Sequence, residues 1–478
     1  MRDSGDEHLC DLTQEKLTVA DLSPDQREVY SGVRRWLSSG TATKSVLTLG
    51  GYAGTGKSTV VSVLAHELPS PLAFAAYTGK ASSGLGRKLQ IAGITTVNRV
   101  RRGESRPYCG TIHGLIYMPC PECMVEEQYE HTYVGKCREG KELNGEAEVE
   151  EEDGLDGKVC LGCDPPPPVK RAGPCSTCNE ARFLKRGRLD RPYRLIVVDE
   201  ASMVDAAMLD DLKRYSVPIL AVGDHGQLPP VRGKSTLMLA PDLRLEKIHR
   251  QAEGNPIIAL SARFRATCEI DRTLVDGERI QIVSRNDLRE WIGARFDASR
   301  LKIDPRIIPE GIMGTVLVTW TNRQRTSLND DVRKALGTSG GPLRKGEVLI
   351  CLRNKPPIYN GMRGVLLADA EASGGGRTLK WEGEVDFVED GQIADVRMAD
   401  AQFFAERPID KDAAQELGVP LWSLGDLFDL GYALTCHKMQ GSQCFEVGVD
   451  MSKMPEDDLR QWGYTAITRA TERLVLFA

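Results

Sequence analysis

The sequence lacks any run approaching the roughly 18 consecutive apolar residues that a bilayer-crossing helix needs, which argues against a membrane partner. Its opening residues, MRDSGDEHLCDLTQEK, lack the apolar stretch of a secretory signal, so a cytoplasmic location is expected. It has no excess of positive charge: 62 Lys and Arg stand against 68 Asp and Glu, a net charge of −6. That total neither supports nor excludes nucleic acid, because a local basic groove decides binding more than the sum does. No repeat of fixed period is visible, and no carboxylate cluster of a nuclease kind, so no nuclease activity is expected.

What is present is a chain of 478 residues, enough for roughly three domains of about 150 residues each. The 13 cysteines are an odd number and unevenly spread, with seven between Met118 and Asp190. In a reducing compartment such residues serve as metal ligands or free thiols more often than as disulfides.

The segment 1–21 is polar and is read as a loose N-terminus. From residue 22 to 117 buried strands and helices alternate. SPDQREVYSGVRRWL opens on Ser23 before Pro24, a good helix start. SVLTL and LAFAAY are continuous apolar runs of the kind a parallel sheet buries on both faces. Residues 118–190 have another texture. Up to Asp164 they carry 14 acidic and 4 basic residues, and from Pro165 to Asp190 the balance turns to 2 acidic and 6 basic. The segment reads as an insertion, its four prolines at 165–168 forming a stiff spacer. The first α/β texture resumes at 191–242, in YRLIVVDEASMVD and VPILAVGDHGQLPPV. A second α/β region covers 243–339 and 429–478. Between its parts, 340–428 has short alternating runs rich in glycine, which suggests a small β-barrel.

The stretch VLTLGGYAGTGKSTVV contains Gly51-x4-Gly56-Lys57-Ser58, with a strand before it and a helix after it. That is the phosphate-cradling loop pattern in its proper setting. Glycines let backbone amides turn inward, and the following helix adds its positive end. Gly51, Ala53, Gly54, Thr55, Gly56, Lys57, Ser58 and Thr59 are the expected nucleotide contacts. Lys57 would reach the β and γ phosphates of ATP, and Ser58 would hold Mg²⁺. LIVVDEAS delivers Asp199 and Glu200 to a strand end, Asp199 as a second Mg²⁺ ligand and Glu200 to orient or deprotonate the attacking water. Phosphoryl transfer rests on such positioning and charge stabilisation.

The phosphate loop, DEAS and GDHGQLPPV, in this order, resemble the RecD-like branch of superfamily 1 helicases, which includes the phage Dda-type enzymes. SPDQREV looks like the family's Q-motif, with Gln26 reading adenine. AAYTGKAS is similar to motif Ia, GTIHGLIY to motif Ib, LEKIHRQ to motif IV, ALTCHKMQGSQ to motif V and YTAITRA to motif VI. VTWTNRQRTSLN is similar to another segment of the second motor domain. Tyr77 stands where motif Ia usually has proline, and Cys436 and Met439 replace an aliphatic and a small polar residue in motif V.

The resemblance implies two RecA-like P-loop domains of parallel sheets with ATP between them. It implies arginine fingers at Arg250 and Arg469 and a γ-phosphate sensor at Gln227. Contacts to single-stranded DNA are implied at Thr78, Lys80, His113, Thr435, His437 and Lys438. It further implies an SH3-like barrel at 340–428, 5′→3′ movement, and DNA forks with replication or repair proteins as partners. A translocase that displaces proteins with little unwinding, and an RNA helicase, remain alternatives.

The insertion falls outside this resemblance. Cys160-x2-Cys163-x11-Cys175-x2-Cys178 would complete one tetrahedral Zn²⁺ site, and Cys120-x2-Cys123-x7-His131-x5-Cys137 a second. Crossed pairing between the two sets stays open, so one or two ions are expected. The basic run of Arg182, Lys185, Arg186 and Arg188 would then lie near the fork, as part of a wedge or clamp.

Overall fold

The computed structural model describes residues 17–39, 46–101, 103–120, 183–229, 237–248, 254–305, 307, 311–353, 358–375, 379–387, 392–403, 405–419, 424–452 and 458–478. The chain divides into two compact units, one of residues 1–112 with 191–478 and one of residues 113–190.

The larger unit contains two parallel sheets. The strands of the first are β1 (Val46–Gly51), β2 (Leu72–Ala76), β3 (Tyr108–Thr111), β6 (Leu195–Asp199), β7 (Ile219–Gly223) and β8 (Leu243–Leu245). Their spatial order is β3-β2-β6-β7-β1-β8. Sequence dictates this burial directly: LAFAA and ILAVG have no polar side chain, and all five residues of each are buried. Helices pack on the sheet through Val29, Val33, Val60, Leu64, Leu85 and Leu89. The first helix, Pro24–Ser38, is set by Ser23 and Gln26. Ser23 Oγ accepts from the Gln26 amide and Gln26 Oε1 from the Ser23 amide, a reciprocal cap.

The second parallel sheet is built from β9 (Ile280–Val283), β10 (Thr315–Thr319), β17 (Ala433–Thr435), β18 (Cys444–Asp450) and β19 (Ala470–Phe477), in the order β17-β10-β18-β19-β9. The helices Pro256–Thr267 and Leu459–Ile467 cover it through Leu260, Phe264, Trp462 and Ile467. They cross closely because residue 463 is glycine: a Cβ there would lie 2.1 Å from the Phe264 ring. The fold is thus α/β with two domains, each centred on a parallel sheet.

An antiparallel sheet interrupts the second domain. It joins β11 (Val348–Cys351), β12 (Arg363–Leu366), β13 (Glu371–Ser373), β14 (Lys380–Phe387) and β16 (Phe428–Leu430), with β15 (Gln392–Ala399) also paired to β14. Buried Arg363 fixes it to the parallel sheet. Its guanidinium donates to the carbonyls of Gly431 at 3.1 Å, Met313 at 3.4 Å and Thr315 at 3.3 Å. Two buried ion pairs, Arg333–Glu347 and Arg325–Asp429, join the same sheet to the helix Asn322–Leu336.

In the smaller unit the described residues form an antiparallel ribbon, β4 (Tyr117–Pro119) against β5 (Phe183–Lys185), with Tyr117 opposite Lys185. Of the expected zinc ligands only Cys120 is described, and it is buried. Cys123, His131, Cys137, Cys160, Cys163, Cys175 and Cys178 lie outside the described residues, as does Arg182. Among the described residues no helix is long and apolar enough to cross a membrane.

Candidate functional site

The phosphate loop leaves β1 at Gly51 and enters the helix Lys57–Glu67 through Gly56. Gly54 and Gly56 both have φ of 78°, the left-handed region that a Cβ disfavours. No side chain caps the helix N-terminus. Its amides therefore remain available to an anion. A Cβ on Gly51 would come within 2.7 Å of Thr55 Oγ1 and 3.0 Å of Lys57 Cγ, so only glycine leaves the loop its shape. Lys57 Nζ donates to the carbonyls of Gly51 at 2.7 Å and Tyr52 at 3.0 Å. The ammonium thus lies along the loop with neutral acceptors. These features fit a nucleotide's phosphates. Gln26 reaches the loop from behind, its Nε2 donating to the Thr55 carbonyl at 3.4 Å.

Asp199 ends β6, and Glu200 follows with φ 51° and ψ 41°. A non-glycine residue in that region is uncommon and marks a backbone held by its surroundings. Burial, then the neighbouring Asp199 carboxylate, raises the Glu200 pKa; Arg469 and Lys57 oppose the rise. Lysine, acidic pair and arginine therefore act within one electrostatic field, although they come from three distant stretches of chain. A carboxylate with a raised pKa is suited to accept a proton.

Beyond β7, Asp224 organises the next loop. Its Oδ1 accepts from the Gly226 amide at 2.9 Å, and its Oδ2 from Gln227 Nε2 at 3.2 Å and from the Tyr464 hydroxyl at 2.7 Å. The same hydroxyl accepts from the Ala53 amide at 2.9 Å. Tyr464 therefore ties the phosphate loop and the Asp224 loop to the second domain. Two further bonds follow the same path: Leu228 N–H to Thr465 Oγ1 at 3.0 Å, and Gln440 Nε2 to the Leu228 carbonyl at 2.8 Å. Gln227 Oε1 is buried with no hydrogen-bond partner among the described residues.

Arg469 sits at the end of the Tyr464 helix, 5% exposed. Its guanidinium donates to the carbonyls of Thr465, Met439 and Ser442 and to Thr468 Oγ1. These partners are neutral, so its charge is uncompensated at close range and bears on Glu200 across the cleft. Arg250 lies outside the described residues.

The residues assigned to strand binding separate into groups. Thr78 Oγ1 accepts from the Ala81 amide at 3.1 Å and caps the helix Gly79–Ile91. Lys80 is buried in the first turn of that helix. A Cβ on Gly79 would lie 2.1 Å from Tyr359 Cβ, so the segment Ile358–Gly361 of the antiparallel domain rests on the start of this helix. Asn360, in the same segment, accepts from Lys438 Nζ. Burial lowers the Lys438 pKa to about 8. Thr435 and His437 precede it in the chain, and burial also lowers the His437 pKa. Thr78, Lys80 and Lys438 are thereby drawn to one segment of the antiparallel region. His113 belongs to the smaller unit, where its ring stacks on Tyr117 with centroids 5.5 Å apart.

Sequence reasoning passed over several of these residues. Asp224, Gln440 and Tyr464 lie inside quoted motifs but received no role. Tyr52 lies within the phosphate-loop motif and Ile358–Gly361 within the region 340–428 read as a barrel, both without a role of their own; Arg265 gave no signal beyond its residue type.

Comparison with known proteins bears on both domains. The AAA domain family matches residues 21–284, and the UvrD-like helicase C-terminal domain matches residues 430–477. The chain is 28% identical over 304 residues to the ATP-dependent RecD2 DNA helicase of Deinococcus radiodurans, covering 59% of this chain and 36% of that protein. It is 26% identical over 337 residues to the RecBCD enzyme subunit RecD of Mycobacterium tuberculosis, covering 62% and 51%. It thus spans only about a third to a half of the relatives it matches. Among solved structures it is similar to a Pif1 helicase from Candida albicans, at 17% identity and a TM-score of 0.46, covering 95% of this chain and 94% of that one.

Proposed function

We propose, for a chain that belongs to the AAA domain family and joins it to a UvrD-like helicase C-terminal domain in the RecD-like form of superfamily 1, that it is an ATP-dependent DNA helicase. The observation that carries the reading is the bond from Ala53 to Tyr464: the second domain touches the phosphate loop of the first, and the charge of Arg469 bears on Glu200. A nucleotide held there is sensed by both domains at once. Opening and closing of the cleft is then coupled to hydrolysis, as a motor requires.

In this mechanism the loop amides of Gly54, Gly56, Lys57 and Ser58 and the Lys57 ammonium hold the phosphates of ATP, Ala53 anchors the loop through Tyr464, and Thr59 supports it. Ser58 and Asp199 would hold Mg²⁺, which would supply charge neutralisation of the phosphates. Glu200 orients or deprotonates the attacking water. Gln227, whose Oε1 is uncommitted, reports the terminal phosphate to the strand-binding elements. Arg469 and Arg250 stabilise the charge that develops as the terminal bond breaks. Gln26 supports the loop through Thr55 while it reads the adenine edge.

The proposed substrate is single-stranded DNA, followed 5′→3′ into a duplex at a fork. Thr78, Lys80, Thr435, His437, Lys438 and His113 would contact phosphates without reading sequence. The antiparallel sheet supports an SH3-like barrel, whose segment Ile358–Gly361 meets two of the strand-binding motifs. Cysteine spacing supports one or two Zn²⁺ ions in the insertion. Replication or repair proteins are the proposed partners. ATPase assays with DNA and RNA oligonucleotides, beside strand-displacement and streptavidin-displacement assays, test the reading. Stimulation by RNA alone, or displacement without unwinding, would replace it.

A further inference from the structure

We propose that Arg265 is a further arginine of the nucleotide cleft, placed to take the terminal phosphate of the bound nucleotide; the proposal rests on the ATPase reading of the site. Arg265 lies in the last turn of the helix Pro256–Thr267, in the second domain. Ile257, Leu260 and Phe264 bury one face of that helix, which leaves Arg265 at its rim, facing the first domain. Its Cζ lies 3.1 Å from the centroid of the Tyr52 ring and 5.7 Å from that of Tyr464. Tyr52 is the second residue of the phosphate loop, between Gly51 and Ala53. A guanidinium from one domain therefore lies over a tyrosine of the phosphate loop of the other.

The close approach is built in. A Cβ on Gly226 would come within 3.0 Å of Tyr464, 3.2 Å of Tyr52 and 3.3 Å of Arg265 Cδ, so the three side chains converge over a position without one. Yet the arginine is not satisfied there. Nη1 is buried with no hydrogen-bond partner among the described residues. The nearby carboxylate, Asp224, is already bonded by Tyr464, Gln227 and the Gly226 amide. A guanidinium cannot shed its proton, and a buried donor without an acceptor is costly. Stacking on tyrosine holds the plane of the group and leaves its forked donors uncommitted. An arriving anion resolves the conflict. The anion this cleft is shaped to admit is the end of a phosphate chain, since Lys57 of the same loop is the group that reaches the terminal phosphates.

The position also differs from that of Arg469, whose guanidinium makes four hydrogen bonds within its own domain. Arg265 would thus discriminate triphosphate from diphosphate. Hydrolysis and loss of phosphate would return it to the Tyr52 face.

The test is a fluorescence titration of the full chain with labelled ADP and a labelled non-hydrolysable ATP analogue. Wild type, Arg265→Ala, Arg265→Gln and Tyr52→Leu are compared; the glutamine variant keeps the question answerable if alanine impairs folding. The expected result for Arg265→Ala and Arg265→Gln is at least a tenfold loss of affinity for the triphosphate analogue, with ADP within twofold of wild type. Tyr52→Leu should shift both affinities together. Equal losses for both nucleotides in the arginine variants, or the same selective loss in Tyr52→Leu, would show that Arg265 only packs on the loop and overturn the inference. Wild type binding neither nucleotide would overturn the ATPase reading itself, and this inference with it.

Discussion

The Tyr464 hydroxyl accepts a hydrogen bond from the Ala53 amide at 2.9 Å, across 411 residues of sequence, while donating to Asp224 at 2.7 Å. One oxygen thus joins the phosphate loop, the loop after β7 and the helix that leads into Arg469. Tyr464→Phe keeps the ring and removes both bonds. It should lower stability by about 1–2 kcal/mol, the worth of two buried hydrogen bonds. Turnover should fall more than nucleotide affinity, because Arg469 loses its alignment. Denaturant unfolding together with steady-state kinetics checks this; unchanged turnover would mean the contact only fills space.

Lys57→Ala and Glu200→Gln should each remove nearly all DNA-stimulated ATPase. Glu200→Gln should still bind ATP, since it leaves the phosphate loop and Asp199 intact. The raised Glu200 pKa sets a sign. A base must be ionised to work, so activity falls as pH drops through that value. The acid limb of the turnover profile should therefore lie above the ordinary carboxylate range of about 4. A flat profile down to that range would assign the base elsewhere.

Lys438, with its pKa lowered to about 8, titrates near working pH. Contact with a DNA phosphate favours the charged ammonium, so binding takes up a proton. Affinity for single-stranded DNA should be level below pH 8 and fall above it. Lys438→Met should flatten that fall. Fluorescence anisotropy from pH 6.5 to 9.5 measures it, and an unaltered slope in the variant would remove Lys438 from the strand contacts.

The insertion makes a separate prediction. Metal analysis of purified protein should find one or two zinc ions per chain. Cys160→Ser with Cys163→Ser should lower that number and impair unwinding more than ATPase. Metal-free protein with full unwinding would dispose of the zinc module.

The parts of the fold that sequence revealed are those governed by local rules. Continuous apolar runs marked β1, β2, β6 and β7, and Ser23 before Pro24 marked a helix start, because burial and capping act within a few residues. The antiparallel region showed as a change of texture, but its attachment through Arg363 to carbonyls of the second domain did not. Such contacts depend on elements more than 40 residues apart. The same limit applied at the site. Gly51 to Ser58, Asp199 and Glu200 stood out as candidates because the chemistry proposed for them needs fixed spacing. Arg265 was one of two arginines on the helix Pro256–Thr267 until the fold laid it on Tyr52.

The most direct test of the central claim is strand displacement with ATP on three duplexes of equal length, one with a 5′ single-stranded tail, one with a 3′ tail and one blunt. A two-domain motor of this kind should separate the 5′-tailed duplex, leave the other two paired, and do neither without ATP. Separation of the 3′-tailed duplex alone would reverse the direction while keeping the motor. No ATP-dependent separation of any duplex would contradict the assignment of a DNA helicase.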